Sequence, residues 1–414
     1  MPKNYKNFIV IFFLGIASGM PLALVLSTIK AFLLERGFDL AAIGFFSLVT
    51  IPYSLKIFIA PFIDSKAIPI LTRIFGQRKS WIIATQGLIA LMILSFNLEA
   101  IVNNILLIAL FSFLIACFSA SQDVVIDAYR LELIKKEDQG LAASFIVYGY
   151  RLGLLISGAF ALALAEKFSW NFAYYIMAIS MFSCLVISIF IKETRIDFEV
   201  PKQNFFTWLK NYALNPIRDL ASHKGWWIIF LFIISFKLGD AFAGNLTLPF
   251  LLEIGFSKIE IATIVKTFGL GATLIGALCG GILVKRINLF KTLWLAAIMQ
   301  MLSNLAFAYQ AQIGYNVDVL YFTIFVENFS GGIGDAAFVA YLSYLCNLSF
   351  SATQYAILSS LASFSRSFLT SSAGVFAKEI GWYYFFVLST FLALPAIIFL
   401  FWLTLKNNYK NSIS

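Results

Sequence analysis

Apolar runs long enough to cross a bilayer recur along the whole chain, and nothing else in the sequence constrains the fold as much. A helix needs about 20 apolar residues to cross a hydrocarbon core. Twelve segments meet that requirement: 8–33, 41–63, 81–98, 104–129, 140–165 and 171–191, then 226–250, 258–284, 290–310, 317–346, 353–378 and 382–405. Lipid offers no partner for an unpaired backbone amide, so spans of this kind must be helices. The composition agrees, with 61% hydrophobic and only 12% charged residues, against about 25% charged in soluble domains. The first segment, from Phe8, is too long for a cleaved signal and lacks a small-residue cleavage site before the next span. The chain reads as an all-α membrane protein.

Between the sixth and seventh spans lies the longest polar stretch, 192–225. It divides the chain into an N-terminal bundle (1–191), a linker (192–225) and a C-terminal bundle (226–414), each bundle with six helices. Trp208 and the apolar residues around it fit a short interfacial helix within the linker. Lys and Arg collect on one side: Lys3 and Lys6, Lys66 to Lys79, Arg130 to Lys136, the linker, Lys285 to Lys291, and Lys406 with Lys410. The opposite side holds only Arg36, Lys167, Lys258 and Lys378, most of them beside an acid. The positive-inside rule then places both termini and the linker in the cytoplasm. The net charge of +9 is explained by this asymmetry. It gives no reason to expect a nucleic-acid partner.

The halves repeat one another. FLLERGF at 32–38 is echoed by FLLEIGF at 250–256. Asp123 with Ala128-Tyr129 is echoed by Asp335 with Ala340-Tyr341, and Arg151 by Arg366, all at similar offsets. Two parallel six-helix repeats are the layout of transporters that rock about a midplane site.

Charged residues inside spans are expensive and mark function by default. The fourth span closes with FSASQDVVIDAYR, where Asp123 and Asp127 lie one turn apart with Gln122 and Arg130. Asp123 is the deeper acid and the candidate for proton coupling; the second-half candidates are Asp335 and Glu327 in ENFSGGIGDAA. Asp127 sits nearer the end of the helix, where it fits a gate latch with Arg130. Lys56 and Tyr53 in the second span, and Tyr150 and Arg151 in GYRLG, are candidates for binding an anionic substrate, with Gln122, Asn245 and Arg366. Gly149 and Gly153 would let neighbouring helices approach closely. An internal bridge between Arg151 and Asp123 is expected, and another between Lys237 and Asp240 at i, i+3. Pro21 is expected to kink the first span.

Asp64 followed by Gly76-Gln77-Arg78-Lys79 resembles the signature of the major facilitator superfamily between spans two and three, although Pro61 and Ser65 depart from it. In that signature the Asp is a latch that pairs with arginine in one state only, so Asp64 and Arg78 join the gating candidates. FFLGIASGMPLAL, GFFSLVTIPYSLKIFIAPFID, FSASQDVVIDAYR and YGYRLGLLISG carry a further resemblance, to the AmpG muropeptide permease branch of that superfamily. It is dense over residues 8 to 180 and thinner in the second half. The resemblance implies the major facilitator fold with 12 transmembrane helices. It also implies a proton-driven importer of anhydro-muropeptides in the cell inner membrane, working by alternating access.

The cationic set would suit another anionic metabolite equally well, a nucleotide, a CoA-like molecule or a sugar acid. Four scattered cysteines and one histidine offer no metal site and no His-based triad. No nucleophile–base pair is evident, so an enzyme is not expected, nor is a cofactor. A receptor would need an output domain larger than the linker. The expected partners are a small-molecule substrate, protons and the lipid bilayer, for a protein acting as a monomer.

Overall fold

The computed structural model describes residues 5–38, 43, 46–195, 204–223 and 225–411. Helices make up the architecture, and no strand occurs among the described residues. Among the described residues, eight helices are long and apolar enough to cross a membrane, or up to ten if each of two bent pairs is one span. The third span, Gln77–Ser95, opens on Arg78 and Lys79. Spans eleven and twelve are joined at Gly381, where φ is 75°. That left-handed value is open to glycine at little cost, and it turns the chain between the last two spans.

Several spans are broken inside. The first is α-helical over Tyr5–Ala23, widens to a π turn at Leu24–Thr28, and resumes at Ile29–Glu35. Pro21, which cannot donate a backbone hydrogen bond, sits just before the widened turn. Thr28 donates its hydroxyl to the Ser157 carbonyl, 2.5 Å away, inside a matching π turn of span five at Ile156–Phe160. The second span bends by 51° between Leu48–Ser54 and Lys56–Ser65. The seventh breaks between Trp226–Ser235 and Leu238–Gly244, leaving Lys237 at the start of the second piece. Other helix starts are capped by side chains: Asn104, Ser169 and Asn288 accept from the next turn, and Ser257 forms a capping box with Glu260. Each cap contributes about 1 kcal/mol.

The described chain forms two compact units. The first comprises residues 1–135, 145–217 and 346–356; the second comprises 136–144, 218–345 and 357–414. Each therefore includes a short piece from the other half of the sequence. The repeated FLLE motif explains one core in each unit. In the first, Phe32 is buried edge-on to Tyr174 at 5.6 Å, and Tyr174 stacks on Phe96 at 5.2 Å. In the second, Phe250 is buried edge-on to Phe386 at 4.9 Å, and Phe386 stacks on Phe307 at 5.0 Å. The equivalent phenylalanines seed equivalent aromatic clusters, each ring pair adding about 0.5–1.5 kcal/mol beyond burial.

Candidate functional site

In the first unit, glycines bring spans one and five together. A Cβ at Gly149 would collide with the Phe12 carbonyl, and one at Gly19 with the Tyr150 carbonyl. This is the close approach expected of Gly149, and it carries Ser18 of span one towards span four. Ser18 donates its hydroxyl to Asp123 Oδ1 at 2.5 Å. Lys56 is the cation whose charge acts on both Asp123 and Asp127. Tyr53 is part-buried, with Asp123, Ser119 and Tyr150 around it. Gln122 is fully buried, and its side chain shows no hydrogen-bond partner among the described residues.

The expected Arg151–Asp123 bridge does not form. Arg151 is exposed, and no ion pair joins it to Asp123 among the described residues. Successive residues on a helix point about 100° apart, so Tyr150 can face the acid while Arg151 turns away. The acid's partner is a serine from the broken first span instead. Asp127 does meet Arg130, at 3.5 Å one turn on, and the buried Arg130 guanidinium also lies over the Tyr355 ring at 5.2 Å.

In the second unit, the break in span seven frees Lys237 to reach across to span ten. Its Nζ lies 2.9 Å from Asp335 and 3.8 Å from Asp240, and it donates to the Gly331 carbonyl at 3.2 Å. The expected Lys237–Asp240 pair is therefore the longer of two, with Asp335 taking the closer place. Gly334 makes the room, since a Cβ there would overlap the Gln300 amide and crowd Lys237. Glu327 accepts from Asn328 at 3.0 Å, and Lys237 and Lys266 are the cations acting on it. Lys266 lies in the π turn Ala262–Phe268. Asn245 donates to the Thr370 carbonyl at 3.2 Å. The side chain of Arg366 lies outside the described residues.

The third constellation, again within the first unit, is a buried polar knot at the end that carries the basic loops. Arg78, with no exposed surface, donates to Asp64 at 2.6 Å, to Glu132 at 2.9 Å, to Ser351 at 2.9 Å and to the Ile63 carbonyl at 3.1 Å. Asp64 also accepts from the Thr353 backbone at 2.8 Å and from its hydroxyl at 2.7 Å. Thr353 lies in the first turn of the helix Ser351–Leu369, where free amides and the helix dipole favour a carboxylate. Arg195 adds an ion pair with Glu132 at 2.9 Å and donates to the Leu348 carbonyl at 2.7 Å. Burial pulls the Arg195 guanidinium down from its ordinary value and the adjacent Arg78 charge adds to this, while Glu132 and Asp64 oppose both.

Asp64 and Arg78 were legible as a pair because they match a signature. Glu132, Arg195, Ser351 and Thr353 were not. Arg195 looks in sequence like one more topological charge, and Glu132 like a helix-end acid. The KETR run at 192–195 was the available signal, since a mixed-charge cluster directly after a span suits a network better than a solvated loop.

Comparison with known proteins follows the same lines. The family described as Major Facilitator Superfamily matches residues 8–368. The chain is 38% identical over 393 residues to the anhydromuropeptide permease of Escherichia coli K12, covering 94% of this chain and 78% of that one. It is 37% identical over 409 residues to a putative transporter, AmpG 4, of Rickettsia conorii, covering 98% of each. The likeness thus runs well past the first-half motifs. Among solved structures, the transporter FucP in the outward conformation gives a TM-score of 0.69 at 15% identity, covering 96% of this chain and 98% of that one. The proton:xylose symporter XylE gives 0.68 at 11%, covering 96% and 95%. At these identities the structures speak for the fold alone. The repeat, the long apolar helices and the matched family agree: the chain belongs to the major facilitator superfamily.

Proposed function

We propose that this chain imports anhydro-muropeptides across the cell inner membrane by alternating access, driven by protons, with both termini cytoplasmic. The cargo is supported by the likeness to the Escherichia coli permease over nearly the whole chain. The observation that carries the coupling is the Lys237 triad. One part-buried lysine faces two carboxylates, Asp335 at 2.9 Å and Asp240 at 3.8 Å. A single cation cannot neutralise both, and an unpaired carboxylate inside a membrane is costly. A proton on one acid balances the set, and its departure forces Lys237 to choose.

Asp123 is the first-half counterpart. Its serine hydroxyl can donate to a carboxylate or accept from a protonated acid, so Ser18 serves both states. Lys56, with Tyr53, Gln122 and Tyr150 near the same acid, is the proposed contact for the cargo's carboxylates and sugar edges; Asn245, Arg151 and Arg366 complete the proposed substrate set. Glu327, near Lys266, is a further proton candidate. The Asp64–Arg78 knot and the Asp127–Arg130 pair are proposed as the cytoplasmic latch. Support for this reading comes from the bonds of Arg78 to Ser351 and of Thr353 to Asp64.

Uptake of labelled anhydro-muropeptide by cells lacking their own permease tests the reading. Cells given this chain should accumulate the label and lose it when the proton gradient is collapsed. Well-inserted protein that gives no uptake would overturn the cargo. Uptake indifferent to the gradient would overturn the coupling.

A further inference from the structure

The linker contains a helix whose two faces do different work. It runs Phe205–Leu209, widens over Lys210–Leu214, and continues Asn215–Ser222. Its inner face holds on to both sides of the knot around Arg78. Trp208 is buried and donates its indole N–H to Ser65 at 2.7 Å, directly after Asp64. About two turns further on, the Pro216 carbonyl accepts from the buried Gln354 at 3.1 Å, directly after Thr353. Ser65 and Gln354 are thus the neighbours of the acid and the helix start that the latch joins. Tyr212 lies between the two anchors, near Asp64 and Arg195.

The outer face is unlike that of a soluble linker. Phe206 is 81% exposed, Leu214 44% and Ile217 46%, and Lys210 lies among them and is exposed. These positions fall at i, i+4, i+8 and i+11, one stripe of a helix. Its level is fixed by Phe62, a half-exposed residue in the last turn of span two, whose ring packs on Trp208 at 4.8 Å. Lys66 lies over the same indole at 6.0 Å. An exposed apolar stripe with basic residues, held at the end of a membrane span, has the chemistry of a helix bedded in an anionic leaflet.

We propose that residues 205–217 form a lipid-bound strap, with Phe206, Leu214, Ile217 and Lys210 seated in anionic lipid while Trp208 and Pro216 grip Ser65 and Gln354 to hold the latch shut. This goes beyond the transport reading and borrows from it only that the knot is a gate. Anionic lipid then favours the closed latch, because the strap cannot stay seated in the leaflet and follow the helix starting at Ser351 away from Asp64.

Cys346, 6% exposed and part of the segment the latch holds, is a built-in reporter. The full chain, with Cys117, Cys184 and Cys279 replaced by serine, is placed in phosphatidylcholine vesicles with or without phosphatidylglycerol. A water-soluble maleimide is then applied on the linker side. Phosphatidylglycerol should slow labelling of Cys346. Trp208→Phe keeps the ring and loses one hydrogen bond, and should speed labelling about three- to tenfold. Phe206→Gln with Lys210→Gln should raise the rate in phosphatidylglycerol to that in phosphatidylcholine. In the same vesicles, a nitroxide at position 206 should be relaxed more by oxygen than by a water-soluble paramagnet. A parent rate equal in both vesicle types, a Trp208→Phe rate equal to the parent's, or a nitroxide open to water overturns the proposal. No readout needs cargo, so a failure here is distinct from a failure of uptake.

Discussion

Lys237 and Gly334 show how single residues set the chemistry of the second unit. Lys237 stands at a helix break and serves Asp335, Asp240 and the Gly331 carbonyl together. Asp335→Asn removes the closer charge while keeping the size and some hydrogen bonding. The variant should keep carrying labelled cargo against unlabelled cargo in counterflow, and lose accumulation driven by a pH gradient. Accumulation at the parental level would move the proton to Glu327 or Asp123. Gly334→Val places a branched side chain where the Gln300 amide and Lys237 now lie. Overpacking of this kind costs about 1–3 kcal/mol, so a lowered melting temperature in detergent is expected. The sequence showed Lys237 and Asp240 as neighbours on one helix. It could not show Asp335, because that pairing depends on how spans seven and ten face each other.

At the scale of elements, broken helices and helix ends position the candidate site residues. Span one is interrupted by Pro21 and a π turn, and its glycines seat it on span five, which brings Ser18 to Asp123. The start of the helix Ser351–Leu369 offers its amides to Asp64, and Arg78 ties that acid to Glu132 and Ser351. Removing one partner of a buried ion pair costs about 3–5 kcal/mol, because the other charge is left uncompensated. Arg78→Ala should therefore open this end. Alkylation of Cys346 should rise at least tenfold, provided the variant still inserts. Arg78→Lys should restore little, since one ammonium cannot match a planar fork that serves four acceptors. Measured rates that do not differ between parent and Arg78→Ala would mean the knot is not what closes this end. In sequence, the Asp64–Arg78 pair was legible through its signature, whereas Glu132 and Arg195 needed the fold to bring 132 and 195 beside 78.

For the whole molecule the testable statement is orientation. The proposed orientation, which rests on the Lys/Arg asymmetry, would put Asn204, at the start of the linker helix, on the cytoplasmic face and Leu98, 57% exposed after span three, on the opposite face. Single cysteines at these positions should label accordingly in intact cells: residue 98 with an impermeant reagent, residue 204 only after permeabilisation. The reverse pattern would invert the proposed direction of transport. The contacts also divide the chain differently from the sequence. The polar linker marks the boundary between the repeats, but the compact units exchange 136–144 and 346–356 across it. The exchanged pieces precede or begin spans five and eleven, which are equivalent by the repeat. They are held by a surface ion pair, Lys285–Asp138 at 2.7 Å, in one unit and by the buried knot in the other.

The sequence by itself determined that the chain is helical, that it spans a membrane and that its halves are related. The reason is that hydrocarbon acts on every residue separately. A run of apolar side chains must be a helix whatever its neighbours are, and a repeated pattern such as FLLERGF and FLLEIGF survives on the page. It also marked Asp123, Asp335 and Asp64 as costly and therefore noteworthy. The tertiary structure alone decided their partners: Ser18 rather than Arg151 for Asp123, Lys237 for Asp335, and Arg78 with the amide of Thr353 for Asp64. A charge in a span must be compensated, but which group compensates it depends on helix rotation, on breaks such as the one at Lys237, and on glycines that let backbones touch. Those are properties of packed pairs of helices, and no single stretch of sequence contains them.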